Sequence, residues 1–273
     1  IDNQIILKPE TDLPEQTPVE RAGRAFPYAA TLAITATVAV AAFGTTMAWR
    51  ETVKPLPPPV ASAVVAVKPH VFDAVQLQAQ AAFVYDPTTG ETLYEKNPDA
   101  QLPLASLTKL MLALVAQKTI PSDTQITITQ ESLAEDGDSG LTLGEHWQLS
   151  KLLDLTLIAS SNDGADAIAR SVASYLHATS TSDPIQSTVA RMNQEARSLG
   201  LVHTYFLNPT GLDVSTTQAG SYGSARDVAH LLAHIVADYP GLLDATAKDG
   251  VLVSSDESAH EAKNTNHMLD DVP

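Results

Sequence analysis

The spacing of apolar positions divides the chain into segments of different kinds. Residues 1–26, with the run "KPETDLPEQTPVERAGR", show neither a helical nor a strand period and read as a disordered tail. Residues 27–49 carry no charge, and "YAATLAITATVAVAAFGTTMAW" is about as long as a helix crossing a ~30 Å hydrocarbon core. Residues 50–74 contain "KPLPPPVASAVVAVKPH", a stiff proline-rich spacer. A folded domain is expected over 75–273.

Inside that domain, "AAFVYDPTTGETLYEKN" predicts two short strands around a turn opened by Asp86-Pro87 and closed by Gly90. From Ser106 to about Tyr239 the spacing is mostly helical. "LSKLLDLTLIASSNDGADAIARSVASYL" is a helical run broken at Ser160 to Gly164, and "SARDVAHLLAHIVADYP" is an amphipathic helix with Ser224 as its N-cap. "GVLVSS", residues 250–255, reads as a returning strand. Strands, a large helical block and strands again predict an α+β domain, with an antiparallel sheet built from both chain ends. One transmembrane helix is expected before it. No internal repeat is visible.

Composition narrows this picture. At 273 residues and 44% hydrophobic the chain can bury a core, but with 5% aromatics alanine, leucine and valine must fill it. A formal net charge of -16 argues against a nucleic-acid partner, whose phosphates attract Lys and Arg. The absence of cysteine excludes disulfides, thiolate metal sites and cysteine nucleophiles. Ala61-Ser62-Ala63 would pass as a signal cleavage site, but signal cores are usually shorter and closer to the N-terminus, so an uncleaved anchor is favoured. Arg21 and Arg24 are nearly matched by Arg50 and Lys54, so charge leaves the orientation open.

The chemistry is concentrated in "LPLASLTKLMLALVA", residues 102–116. Residues three apart share a helix face, so the Lys109 amine can reach the Ser106 hydroxyl. A hydroxyl needs a base beside it to attack, and burial disfavours a lysine's charged form, which makes such a base. If Ser106 opens the helix, the first-turn N–H groups add a positive field for a developing oxyanion. The bland alternative is a serine N-cap followed by a snorkelling lysine. In "IASSNDGAD", residues 158–166, a polar Ser160-Ser161-Asn162 cluster interrupts an apolar run, where Ser160 can pass protons and Asn162 can hold a substrate amide. An ordinary capped turn is the alternative. His230 and His234 share a helix face, but Leu231 stands where H-E-x-x-H needs its acid, which favours a plain helical role over a metal pair. Glu135, Asp136 and Asp138 read as a solvated loop run before Gly140. A G-x-S-x-G elbow is absent.

S-x-x-K followed by an S-x-N element resembles the penicillin-recognising serine enzymes, most closely the serine-type D-Ala-D-Ala carboxypeptidases, the low-molecular-mass penicillin-binding proteins. The resemblance runs from about Ala81 through "SGLTLGEHWQLSKLL", "FLNPTGLD", "YGSARDVAHLL" and "NTNHML". It implies a DD-peptidase/β-lactamase-like fold, with Ser106 as acylated nucleophile, Lys109 as general base, Ser160 as proton relay and Asn162 as substrate-orienting amide. Ser161, at the variable middle position, receives no role. Asn208, Thr210, Gly211 and Asp213 are expected to shape a loop. The family's K-T-G strand is expected soon after Pro273, and Lys263 does not replace it. Together with Ile1 in place of a starting Met, this leads to the expectation that the 273 residues are a piece of a longer chain.

The implied function is a D-Ala-D-Ala carboxypeptidase acting on peptidoglycan stem peptides, inhibited by β-lactams and needing no metal or organic cofactor. Its localisation is expected to be a single-pass membrane anchor, with a cytoplasmic tail and a domain on the cell-wall side. A DD-endopeptidase shares the motifs. A class A β-lactamase is expected to show an E-x-x-L-N loop, which "EARSLG" does not match. A non-catalytic wall-binding protein is the alternative of another class.

Overall fold

A computed structural model describes residues 75, 77–137, 139–176 and 183–266; the expected tail, membrane anchor and linker lie outside them. Strands β1 (Ala82–Tyr85) and β2 (Thr92–Lys96) form an antiparallel hairpin. Its turn is tied by Asp86, whose carboxylate accepts from Thr88 N and Thr89 Oγ1 at 2.8 Å each. Gly90, at φ +74, closes it by donating to the Asp86 carbonyl.

Strand β3 (Leu102–Pro103) leads into a single 3₁₀ turn, Ala105–Leu107, and then helix α1, Thr108–Thr119. Helix α1 is buried nearly all round, with Met111, Leu114, Val115 and Ala116 without exposure, which makes it the central element of the core. Strands β4 (Gln125–Thr127) and β5 (His146–Gln148) make a second hairpin within the stretch expected to be mostly helical. The long excursion between them and their three-residue length leave no period-2 signal to read.

Helices α2 (Leu149–Ile158) and α3 (Asn162–Tyr175) follow, then α4 (Pro184–Ser198). Alanines on α3 (Ala165, Ala169, Ala173) let it pack closely on its neighbours, and a Cβ at Gly164 would stand 2.4 Å from Thr156 Oγ1 of α2. Trp147 and Phe206 supply buried aromatic volume in a core otherwise aliphatic. Strands β6 (Tyr205–Phe206) and β7 (Ser221–Gly223) join β3 in a small sheet of order β3-β7-β6. Helix α5 (Ala225–Asp238) begins at Ser224, whose hydroxyl accepts from Asp227 N as the sequence predicted. Strands β8 (Gly250–Ser254) and β9 (Ala259–Lys263) end the described fold.

The mixed helix-and-strand character and the antiparallel pairing agree with expectation, but the single sheet does not. Among the described residues the first and last hairpins belong to separate ladders. Each instead has its own packing partner. The first hairpin meets α5, where Arg226 lies over the Phe83 ring and bonds Asp99, and His230 meets Phe83 and Tyr85 edge-on. The last is latched to β5 and the residue before it by His146–Glu257 and His260–Glu145 pairs at 2.8 and 2.9 Å. These contacts give His230 a packing role, and His234 pairs with Asp238 at 2.7 Å.

Candidate active site

Ser106 sits in the 3₁₀ turn rather than at a helix N-cap, so the condition that it opens the helix is not met; α1 starts two residues later. The turn is shaped by Ala105, a non-glycine residue at φ +47, a conformation that costs on the order of 1–3 kcal/mol and persists where the surroundings over-determine it. Those surroundings are visible. Thr108 Oγ1 donates to the Ala105 carbonyl at 2.6 Å and is hydrogen-bonded to Ser221 Oγ of β7. The 208–212 loop presses on the same carbonyl so closely that a Cβ at Gly211 would lie 1.9 Å from it. The result is an exposed Ser106 hydroxyl on a rigid turn.

One helical step on, Lys109 is only 2% exposed. Its Nζ lies 3.0 Å from Ser106 Oγ, 2.8 Å from Asn162 Oδ1 and 2.9 Å from the Thr210 carbonyl. An ammonium has three donors, and here all three are used on neutral acceptors. Burial without a bonded carboxylate disfavours the charge, so the pKa falls to about 8; the more distant charge of Glu135 opposes the fall. Loss of one proton leaves a lone pair that can accept from Ser106.

Ser160 Oγ donates to Ser106 Oγ at 2.8 Å from the α2–α3 junction, where Ser160 stands at φ +57. Asn162 is the first residue of α3. Its amide nitrogen donates to the Asp136 carbonyl at 2.6 Å, which leaves its oxygen facing Lys109. The four residues expected at one site therefore form one connected group. Ser161 is the N-cap of α3, accepting from Gly164 N at 2.9 Å.

Two participants escaped the sequence reading because they act through backbone carbonyls. The run "NPTGLD" does shape a loop: Asn208 Oδ1 accepts from Gly211 N at 2.8 Å and its Nδ2 donates to Leu212 O at 2.7 Å. Yet that loop also brings Thr210 O onto Lys109. The acidic run is not uniformly solvated either. Asp136 is exposed, but Glu135 is half-buried, and burial together with the charges of Asp166, Asp163 and Asp136 raises its pKa. Asp138 lies outside the described residues.

The comparisons with known proteins point the same way. The chain is 30% identical to the D-alanyl-D-alanine carboxypeptidase DacF of Bacillus subtilis over 203 residues, 72% of this chain and 49% of the relative. It is 30% identical to a D-alanyl-D-alanine endopeptidase of Pseudomonas aeruginosa over 199 residues, 71% of this chain and 59% of the relative. The chain thus spans about half to three fifths of the length of these relatives. Among solved structures, penicillin-binding protein D2 from Listeria monocytogenes in its ampicillin-bound form shares 27% identity and a TM-score of 0.59, covering 72% of this chain and 76% of that one. A D-alanyl-D-alanine carboxypeptidase from Mycobacterium tuberculosis shares 26% identity and a TM-score of 0.61, covering 71% and 69%. With the D-alanyl-D-alanine carboxypeptidase family matching residues 65–273, and with solved members sharing its fold, the chain belongs to that family.

Proposed function

We propose that the protein is a serine D-Ala-D-Ala carboxypeptidase of peptidoglycan stem peptides, acting through an acyl-enzyme on Ser106. The observation that carries this reading is the buried Lys109 amine, 3.0 Å from the Ser106 hydroxyl with its pKa drawn down to about 8. Neutral Lys109 takes the proton as Ser106 Oγ bonds to the carbonyl carbon of the penultimate D-Ala. The C–N bond then breaks, and the leaving D-Ala amine receives that proton, with Ser160, bonded to Ser106 Oγ, as the relay. Water, deprotonated by the same amine, hydrolyses the ester and restores the hydroxyl. Asn162 orients the substrate amide.

A β-lactam imitates the scissile amide, so it is the probe for this reading. Mass spectrometry of the penicillin-treated protein should place one adduct on Ser106, and Ser106→Ala should abolish it. An adduct on another residue would remove the nucleophile from the scheme. Cross-link cleavage is a second reading, supported by the similarity to the endopeptidase of Pseudomonas aeruginosa. Incubation with purified muropeptides separates the two: free D-Ala from monomeric pentapeptide supports the carboxypeptidase, monomers from cross-linked dimers the endopeptidase. For the substrate to be reached, residues 27–49 anchor the domain on the wall side of the membrane, with residues 1–26 in the cytoplasm. Protease added to intact protoplasts should then degrade the domain and spare the tail.

A further inference from the structure

The turn carrying Ser160 and Asn162 is gripped by a loop that the reaction scheme does not use. Asp136 holds the Asn162 amide through its carbonyl, and Gly137 approaches the same amide closely enough for a Cβ there to lie 3.5 Å from Nδ2. On the other side of the turn, Ser139 Oγ is 2.6 Å from Ser161 Oγ and donates to Asp163 Oδ2 at 3.2 Å. The Ser139–Ser161 hydroxyl pair, in which either oxygen can donate, ties this loop to Ser161, whose oxygen accepts from Gly164 N. Ser161 is 2% exposed, so bulk water has little access to replace a lost partner. Its neighbour on one side is Ser160 at φ +57 and on the other is Asn162, which shares the Lys109 amine with Ser106.

We infer that Ser139 is a positioning residue for the reaction, acting through the Ser161 hydroxyl to keep Ser160 and Asn162 aimed at Ser106 and Lys109. The inference rests on the acyl-enzyme reading above. Its consequence is specific: Ser139 touches neither substrate nor nucleophile, so its effect falls mainly on the chemical step, with a smaller effect on binding through Asn162. A residue important only for folding would lower thermal stability without separating the two kinetic constants.

The test is stopped-flow acylation of the full chain by a chromogenic β-lactam, resolving the first-order acylation constant from the half-saturating concentration. Ser139→Ala should lower the acylation constant by about threefold to tenfold, the rate equivalent of one hydrogen bond, with a smaller change in half-saturation. Ser139→Thr, which keeps the hydroxyl, should restore the rate. In a Ser161→Ala background, Ser139→Ala should have no further effect, since the residue it acts through is gone. An equal loss in both backgrounds, or a fall in melting temperature with the acylation constant unmoved, would overturn the inference while leaving Ser106 chemistry intact. A wild-type chain that takes no β-lactam on Ser106 overturns the acyl-enzyme reading and this inference with it.

Discussion

Helix α1 carries a lysine near each end, and the two live under opposite rules. Lys118, in the last turn, meets Glu195 of α4 at 2.6 Å, and Arg191 approaches the same carboxylate at 3.5 Å. Glu195 is 2% exposed, as buried as Lys109, yet its charge is matched by two cations. A cation at a helix C-terminus is favoured by the helix dipole as well. Lys109, in the first turn, is bonded to a hydroxyl, a side-chain amide oxygen and a main-chain carbonyl, none of which carries a charge. Burial and the helix N-terminus both act against its ammonium form. One end of α1 uses a charge to tie two helices together. The other end holds an amine that can lose its charge near neutral pH, which is what a general base for a serine needs.

The strongest way to break this contrast is Lys109→Met, which keeps the length and volume of the chain but removes the base. Acylation of Ser106 should fall about 10²–10⁴-fold, the usual contribution of a positioned base. The melting temperature should move less than for the Lys118 variant below, because the lost hydrogen bonds are offset by removal of a buried, unmatched charge. Calorimetry and acylation kinetics on one preparation would check both halves.

The wild-type pH profile sharpens the same point. Only neutral Lys109 accepts a proton, so the acylation rate should climb about tenfold per pH unit below its pKa of about 8 and level off above it. Stability follows the same group with a definite sign. Its folded pKa lies below the unfolded value of 10.5, so its contribution rises with pH between about 8 and 10.5 and is lost as pH falls through 8. The difference between wild type and Lys109→Met in urea unfolding against pH isolates this contribution.

Lys118→Met tests the other end of the helix. It leaves the buried Glu195 with Arg191 alone and should cost about 1–2 kcal/mol, or roughly 2–8 °C in melting temperature. Acylation should be essentially unchanged. The smallest effect is expected from Glu135→Gln. The Glu135 carboxylate favours the protonated amine, so its removal should shift the rising limb of the acylation profile to lower pH while the plateau rate stays the same. A shift to higher pH would show that Glu135 does not act on Lys109 through charge.

Much of the local structure was legible in the sequence because it is encoded over a few residues. The Asp86–Gly90 turn, the Ser224 cap and the Ser106–Lys109 spacing each depend on side chains within five positions of one another. The β4–β5 hairpin and the separate pairing of the two end hairpins were not legible. Their strands are short, and which ladder a strand joins depends on partners far along the chain.

At the site the division is sharper. The sequence by itself offered the candidate side chains, a hydroxyl, an amine and an amide in S-x-x-K and S-x-N order, although each element alone also reads as an ordinary capped turn. It also placed Lys109 on an apolar helix, where burial follows. Only the tertiary structure decided what meets that amine: Asn162, 53 positions away, and the carbonyl of Thr210, 101 positions away. It likewise decided that Ser139 and the Asp136 carbonyl hold the Ser160–Asn162 turn. Every residue has a main-chain carbonyl, so one that serves as an acceptor leaves no mark in the sequence; its role exists only once packing has fixed where it points.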